Sequence, residues 1–162
     1  MMNLKTSLIK LFHPTIPKLL LAVFLIASLL GFLDTTYLTV KHYTGSSLNC
    51  SVLFGDCEKV TTSKYSMLAG VPLALIGAIY YFTIFILSVA YLDTKREKTI
   101  IIASYLTATG FLASAYFVFL QLFIIKAICP YCMVSAILAT ILFINGVIVL
   151  KLNTKTLANP EL

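Results

Sequence analysis

The stretch "KAICPYCMVSAILATILFINGVIVL", residues 126–150, opens with two cysteines and continues as an almost unbroken apolar run. A helix needs about 20 apolar residues to cross the hydrocarbon core of a bilayer, and this run is long enough. Cys129 and Cys132 stand where the helix would begin. The stretch therefore predicts a membrane-spanning fold, with a Cys-x-x-Cys pair at the edge of the membrane.

The composition of the whole chain agrees with a membrane fold. Of its 162 residues, 60% are hydrophobic and only 11% are charged, and its mean hydropathy is +0.99. These values do not suit a water-facing surface. Long apolar runs predict four membrane helices, at about 19–40, 67–92, 99–125 and 127–150. We expect an all-α integral membrane protein, a four-helix bundle with one long extracytoplasmic loop. The membrane domain would span residues 19–152, with cytoplasmic tails at 1–18 and 153–162.

The basic residues predict the orientation in the membrane. Four spans put both termini on one side, and the side that is richer in Lys and Arg is the cytoplasmic one. The termini and the middle loop carry eight basic residues, namely Lys5, Lys10, Lys18, Lys95, Arg96, Lys98, Lys151 and Lys155. The other side carries four, namely Lys41, Lys59, Lys64 and Lys126. We therefore expect the protein to span the inner (plasma) membrane with both termini in the cytoplasm. The basic residues flank helix ends, so we interpret the net charge of +6 as anchoring the protein at lipid headgroups. We therefore predict no nucleic-acid partner.

All four cysteines of the chain fall on the predicted outer side. Cys50 and Cys57 lie in the long loop, and Cys129 and Cys132 open the last helix. The outer side of a bacterial membrane is oxidising, so disulfide chemistry is permitted there. A helix N-terminus favours the thiolate, which makes Cys129 a good attacking or leaving sulfur. Cys132 would lie about 4.5 Å deeper along the helix, toward the bundle interior.

Other uses of these cysteines remain open at this point. The "CPYC" pair could be two small buried hydrophobic residues, and the loop pair could be a structural staple. A four-sulfur zinc site is a further alternative, although six residues separate Cys50 from Cys57 and zinc pairs usually have two to four between ligands.

The motif order resembles the vitamin K epoxide reductase family, in particular its bacterial members. The likeness runs from Cys50 and Cys57 through "VTTSKYSMLAGVPLALIGAIYY" at 60–81 to "CPYC" in the last helix. The segments "DTTYL" at 34–38 and "AYFVFLQLF" at 115–123 look similar as well. DsbB-type quinone reductases, which also have four helices and two cysteine pairs, carry the pairs in the reverse order.

The resemblance implies an enzyme that oxidises a thioredoxin-like protein and reduces a quinone, supporting disulfide bond formation. Cys50 and Cys57 would act as a shuttle, Cys129 would meet the shuttle, and Cys132 would meet the quinone. The electron acceptor would be ubiquinone or menaquinone, with no metal. The chain stops at Leu162, so we expect the partner to be a separate, DsbA-like protein.

Four further residues are candidate quinone contacts. Ser63 matches the serine that follows the loop pair in the family. Asp34 is an ionisable residue at membrane depth, which makes it a functional candidate, although it could also be an interfacial carboxylate paired with Lys41. Tyr116 and Gln121 could bond a quinone carbonyl or simply tie helices together.

The sequence departs from the animal enzymes at two positions linked to substrate binding. It has Leu73 where they have an asparagine and Ala136 where they have a tyrosine. We therefore expect plain quinone reduction rather than epoxide reduction. Outside this chemistry, a four-cysteine metal-binding membrane protein or an inert membrane scaffold remain as alternative classes.

Overall fold

The computed structural model describes residues 16–45 and 57–158. The described elements are α1 (Lys18–Thr44), α2 (Cys57–Thr61), β1 (Met67–Leu68), β2 (Val71–Pro72), α3 (Leu73–Thr94), α4 (Glu97–Phe119), a π-helical segment (Leu120–Ile125) and α5 (Pro130–Ala158). Cys50 and the middle of the predicted outer loop, residues 46–56, lie outside the described residues.

The four long helices form a membrane bundle, which confirms the predicted all-α, four-helix membrane fold. Within residues 16–45 and 57–158, four helices are long and apolar enough to cross a membrane, namely Lys18–Thr44, Leu73–Thr94, Glu97–Ile125 and Pro130–Thr154. Helix α1 packs against α3 and α5, and α4 packs against α3 and α5. Phe24, Ile84 and Leu142 are fully buried where the helices meet. Many large apolar side chains remain exposed on the outside of the bundle, as expected for a surface that faces lipid.

The second membrane helix begins at Leu73, six residues later than predicted. Met67–Leu68 pairs instead with Val71–Pro72 in a short antiparallel hairpin. Gly70 adopts a left-handed conformation with φ 84° at the turn, and Pro72 favours an extended conformation in the residue before it. Hydropathy did not reveal this boundary because the hairpin residues are as apolar as the helix that follows.

The last helix is also displaced from its predicted bounds. It begins at Pro130 rather than 127 and continues to Ala158 rather than 150. Lys126 is left-handed, with φ 53°, which ends the preceding helix. The predicted C-terminal tail at 153–162 is therefore helical through Ala158, and the remaining residues lie outside the described part of the chain.

Glycine allows α4 and α5 to approach closely. A Cβ atom added at Gly146 would lie 2.6 Å from Thr107 Oγ1 and 3.1 Å from the backbone oxygen of Ser104. The backbone of a packed helix cannot move aside cheaply, and membrane helices rely on such small residues for their association.

We expect Gly146→Leu to destabilise the bundle by about 2 kcal/mol or more, because the side chain would overpack this contact. Thermal unfolding in detergent would measure the change. Ala115→Leu is the matched control, since Ala115 is exposed on α4 and the same added atoms would face lipid. Equal stability of the two variants would contradict the close contact.

Candidate active site

Cys129 is the residue immediately before the last membrane helix, α5. Its carbonyl oxygen accepts the first helical hydrogen bond, from the backbone N–H of Met133 at 3.0 Å. Its own backbone N–H donates to Oε1 of Gln121 at 3.1 Å. Both residues are buried, with Cys129 0% exposed and Gln121 3% exposed. The amide of Gln121 thus caps the start of α5 and fixes the cysteine backbone.

A π-helical turn brings Gln121 to this position. The third membrane helix widens over Leu120–Ile125, and the left-handed Lys126 then reverses the chain. The backbone N–H of Ala127 closes the turn by donating to the carbonyl oxygen of Gln121 at 3.2 Å. Single π-helical turns within α-helices occur frequently at functional sites. Here the turn places the Gln121 side chain against the backbone of Cys129, the residue before α5.

Cys57 of the loop pair and both cysteines of the helix pair meet in one buried cluster. Cys57, Val60, Ala127 and Cys129 form this cluster, and Tyr131 and Cys132 pack against it. Cys57 is disulfide-bonded, whereas Cys129 and Cys132 are free thiols. A disulfide-bonded cysteine of the loop pair therefore lies in the same cluster as a free thiol of the helix pair.

The surroundings of Cys129 favour its thiolate. A hydrogen bond from the Cys132 side chain lowers the pKa of Cys129 to about 7, and the backbone N–H groups of Tyr131 and Cys132 add to the effect. Burial and the nearby Asp34 carboxyl oppose the shift. A thiol with this pKa is largely deprotonated just above neutral pH, which makes it an effective nucleophile toward a disulfide.

Removing the Cys132 thiol is expected to raise the pKa of Cys129. In Cys132→Ala the main hydrogen bond to the Cys129 sulfur is lost, so the thiolate forms only at higher pH. Thiolate ultraviolet absorbance titrated against pH, in protein that lacks both loop cysteines, would measure the shift. Tyr116→Phe in the same background serves as the control, because Tyr116 is exposed. An unchanged titration in Cys132→Ala would show that the thiol pair does not set the pKa.

Cys132 faces a largely apolar cavity of about 370 Å³. The cavity lies between the membrane helices and the segment that follows α2, and its lining includes Cys132, Gln121, Ser63, Leu73 and Ala136. Cavities of a few hundred cubic ångströms with few polar groups are typical of sites for small organic ligands. The wall formed by Cys132 is therefore accessible to an apolar ligand within the bundle.

The structure brings only some of the predicted contact residues to this cavity. Ser63 and Gln121 line it. Tyr116 does not, since its side chain is 55% exposed and its ring contacts Phe117. Asp34 also lies outside the lining, but its carboxyl interacts electrostatically with both Cys129 and Cys132. Within the described residues, one carboxylate oxygen of Asp34 is buried without a hydrogen-bond partner.

Tyr81 lines the cavity but is not among the site residues predicted from the sequence. Its hydroxyl donates to the backbone oxygen of Ser135 at 2.6 Å, which ties α3 to α5 one turn beyond Cys132. The adjacent tyrosines at 80 and 81, inside an otherwise apolar helix, were the available signal. Only the packing of the two helices identifies the partner.

The described residues contain no group of three or more His, Cys, Asp or Glu side chains that could hold a metal ion. Cys57 is committed to a disulfide, and a zinc ligand must be a thiolate. The described part of the chain therefore does not support the alternative of a four-sulfur metal site.

The fold and the site together define a four-helix membrane protein with paired cysteines at the mouth of an internal cavity. The model of the vitamin K epoxide reductase family matches residues 22–146. The chain belongs to this family, which confirms the resemblance predicted from the sequence. A similar protein is the thiol-disulfide oxidoreductase LTO1 of Arabidopsis thaliana, 35% identical over 128 residues. The match covers 74% of this chain and 34% of LTO1, so the chain spans about a third of that relative's length.

Proposed function

We propose that the protein is a membrane thiol-disulfide oxidoreductase that oxidises a thioredoxin-like partner and reduces a quinone, supporting disulfide bond formation. The observation that carries the proposal is the buried cluster, in which disulfide-bonded Cys57 lies with the thiol of Cys129. Cys132 packs against this cluster and also lines the apolar cavity. A continuous route from the loop pair to the cavity follows from these contacts.

Each step of the route is an exchange through a mixed disulfide. The partner dithiol reduces the disulfide that we assign to Cys50 and Cys57. The reduced loop pair then attacks an oxidised Cys129–Cys132 disulfide, and the loop disulfide forms again. The Cys129–Cys132 dithiol gives two electrons and two protons to the quinone, which leaves as the quinol, and the disulfide is restored. The net reaction oxidises one partner dithiol for each quinone reduced.

The apolar lining of the cavity supports a quinone ring as the electron acceptor. Leu73 and Ala136 both line it at the positions where the animal enzymes carry polar side chains, so the walls there are apolar. We assign quinone contact to Ser63 and Gln121. We do not assign it to Asp34 or Tyr116, since neither residue lines the cavity. We propose that the protein lies in the inner (plasma) membrane. The excess of Lys and Arg residues beside the termini and the middle loop supports cytoplasmic termini and extracytoplasmic cysteines.

A DsbB-type reductase is a less suitable description, because the order of the two cysteine pairs is reversed and the family match runs through the bundle. A metal-binding membrane protein predicts free thiols at all four cysteines, and the disulfide at Cys57 argues against it.

The test is oxidation of a reduced thioredoxin-like protein by the purified protein in lipid vesicles, followed with a thiol reagent. Turnover that requires added ubiquinone or menaquinone supports the proposal. Oxidation of a single equivalent of donor, unaffected by either quinone, would refute it.

A further inference from the structure

We propose that the Gln121 side chain donates a hydrogen bond to a carbonyl oxygen of the quinone while its own oxygen holds Cys129 in place. This inference rests on the proposed function and assigns the polar contact that orients the substrate. One amide would then connect the start of the redox helix to the substrate cavity.

The hydrogen bond to Cys129 fixes which end of the amide faces the cysteine. The backbone N–H of Cys129 can only donate, so the atom 3.1 Å from it must be the oxygen, Oε1. A flipped amide would place two donors against each other. The –NH₂ group of Gln121, which carries two donor hydrogens, is therefore the remaining polar end of a side chain that lines the cavity.

Most hydroxyl groups around the cavity have already used their single hydrogen. Those of Thr35, Thr61, Ser63, Ser66, Tyr81 and Thr109 each donate to a backbone carbonyl oxygen. They can still accept a hydrogen bond, but a quinone carbonyl needs a donor. Ser63 is thus suited to accept from the hydroxyl of the product quinol.

Tyr80 also lines the cavity, and its hydroxyl has no hydrogen-bond partner among the described residues. Its oxygen is buried against Gly110, so the hydroxyl would have to turn away from that contact before it could donate to a ligand. Ser114, His42 and Tyr65 also line the cavity, but Gln121 alone of these cavity residues hydrogen-bonds to the redox cysteine.

The proposed bond would assist the transfer of electrons. As the Cys129–Cys132 disulfide forms, two electrons enter the quinone and negative charge builds on its oxygens before both protons arrive. A donor fixed in a site that excludes water stabilises this charge. Because Gln121 is held by Cys129, the carbonyl would be presented on the side of the cavity that Cys132 lines.

The test measures binding of menadione, a short quinone, by equilibrium dialysis against protein carrying Cys132→Ser, which cannot turn over. Gln121→Met in this background removes donor and acceptor, and we expect about tenfold weaker binding, the effect of one lost hydrogen bond. Gln121→Glu keeps an acceptor for Cys129 and tests for misfolding. A carboxyl donates only when it is protonated. The affinity of the Gln121→Glu protein for menadione should therefore match that of the parent at low pH and fall as the pH rises. Tyr116→Phe, outside the cavity, should bind like the parent.

The pH comparison uses the ratio of each variant to the parent. The titratable groups that line the cavity with Gln121 are His42, Tyr65, Tyr80 and Tyr81. Cys129 is hydrogen-bonded to Gln121, and Asp34 interacts electrostatically with Cys129. Both proteins share these groups, so effects that are equal in the two proteins cancel in the ratio. Equal binding by the parent and Gln121→Met, or a flat ratio for Gln121→Glu, would overturn the donor role alone. A parent protein that binds no menadione would overturn the quinone site and this inference with it.

Discussion

Replacing Cys132 by serine is expected to reduce quinone reduction to the background rate and to trap a mixed disulfide between Cys129 and Cys57. Without the Cys132 sulfur, no disulfide can form at the end of the route, so no electrons reach the cavity. Cys129 can still attack the loop disulfide, and Cys57 lies in the same buried cluster. The Cys132 thiol that would resolve this bond is absent, and the loop thiol released by the attack can only reverse the step, so part of the protein is held in the linked form.

Quinone absorbance would measure the loss of activity, and mass spectrometry of unreduced peptides would identify the linked cysteines. Cys129→Ser is the matched control, because it should be equally inactive but form no such link. Quinone reduction by Cys132→Ser at the wild-type rate would show that the sulfur lining the cavity is not the electron donor.

Replacing Cys57 by serine is expected to separate the two halves of the reaction. With a reduced thioredoxin-like protein as donor, the rate should fall by more than about a hundredfold, because a folded protein cannot reach the buried Cys129 without the loop cysteine as carrier. With dithiothreitol, a substantial rate should remain, since a small dithiol can reach the helix pair once the loop disulfide no longer exists.

The two donors are compared on the same preparation by following quinone absorbance. Lys64→Ser, at an exposed position after α2, is the control and should behave like the wild type with both donors. If Cys57→Ser accepted electrons equally well from the protein donor, the loop pair would not be the shuttle.

The fold class could be predicted from the sequence because the four membrane helices are identified by their hydropathy, which depends on local composition alone. It did not predict where those helices end. Leu73 follows a hairpin whose residues are as apolar as the helix, and the start at Pro130 depends on the left-handed turn at Lys126. Turn geometry of this kind is decided by packing as well as by residue type.

The candidate site, like the fold, could be predicted only in part. The spacing of Cys129 and Cys132 and the position of Cys57 were sufficient to propose them as redox residues, and these assignments remain proposals. Gln121 was a candidate for two roles, quinone contact or a tie between helices, and only the hydrogen bond to Cys129 shows that its oxygen is already used. Tyr116 illustrates the opposite case. Its side chain points outward, and nothing in an almost uniformly apolar helix indicates which face is turned toward the bundle.

The most direct test of the account is the stoichiometry of quinone reduction by the purified wild-type protein. Quinone absorbance and free thiol would be followed together, with dithiothreitol as donor and either ubiquinone or menaquinone analogues as acceptor. We expect protein-dependent turnover, with one quinone reduced for each dithiol oxidised. Thiol oxidation without quinone reduction, or no turnover with any quinone, would contradict it.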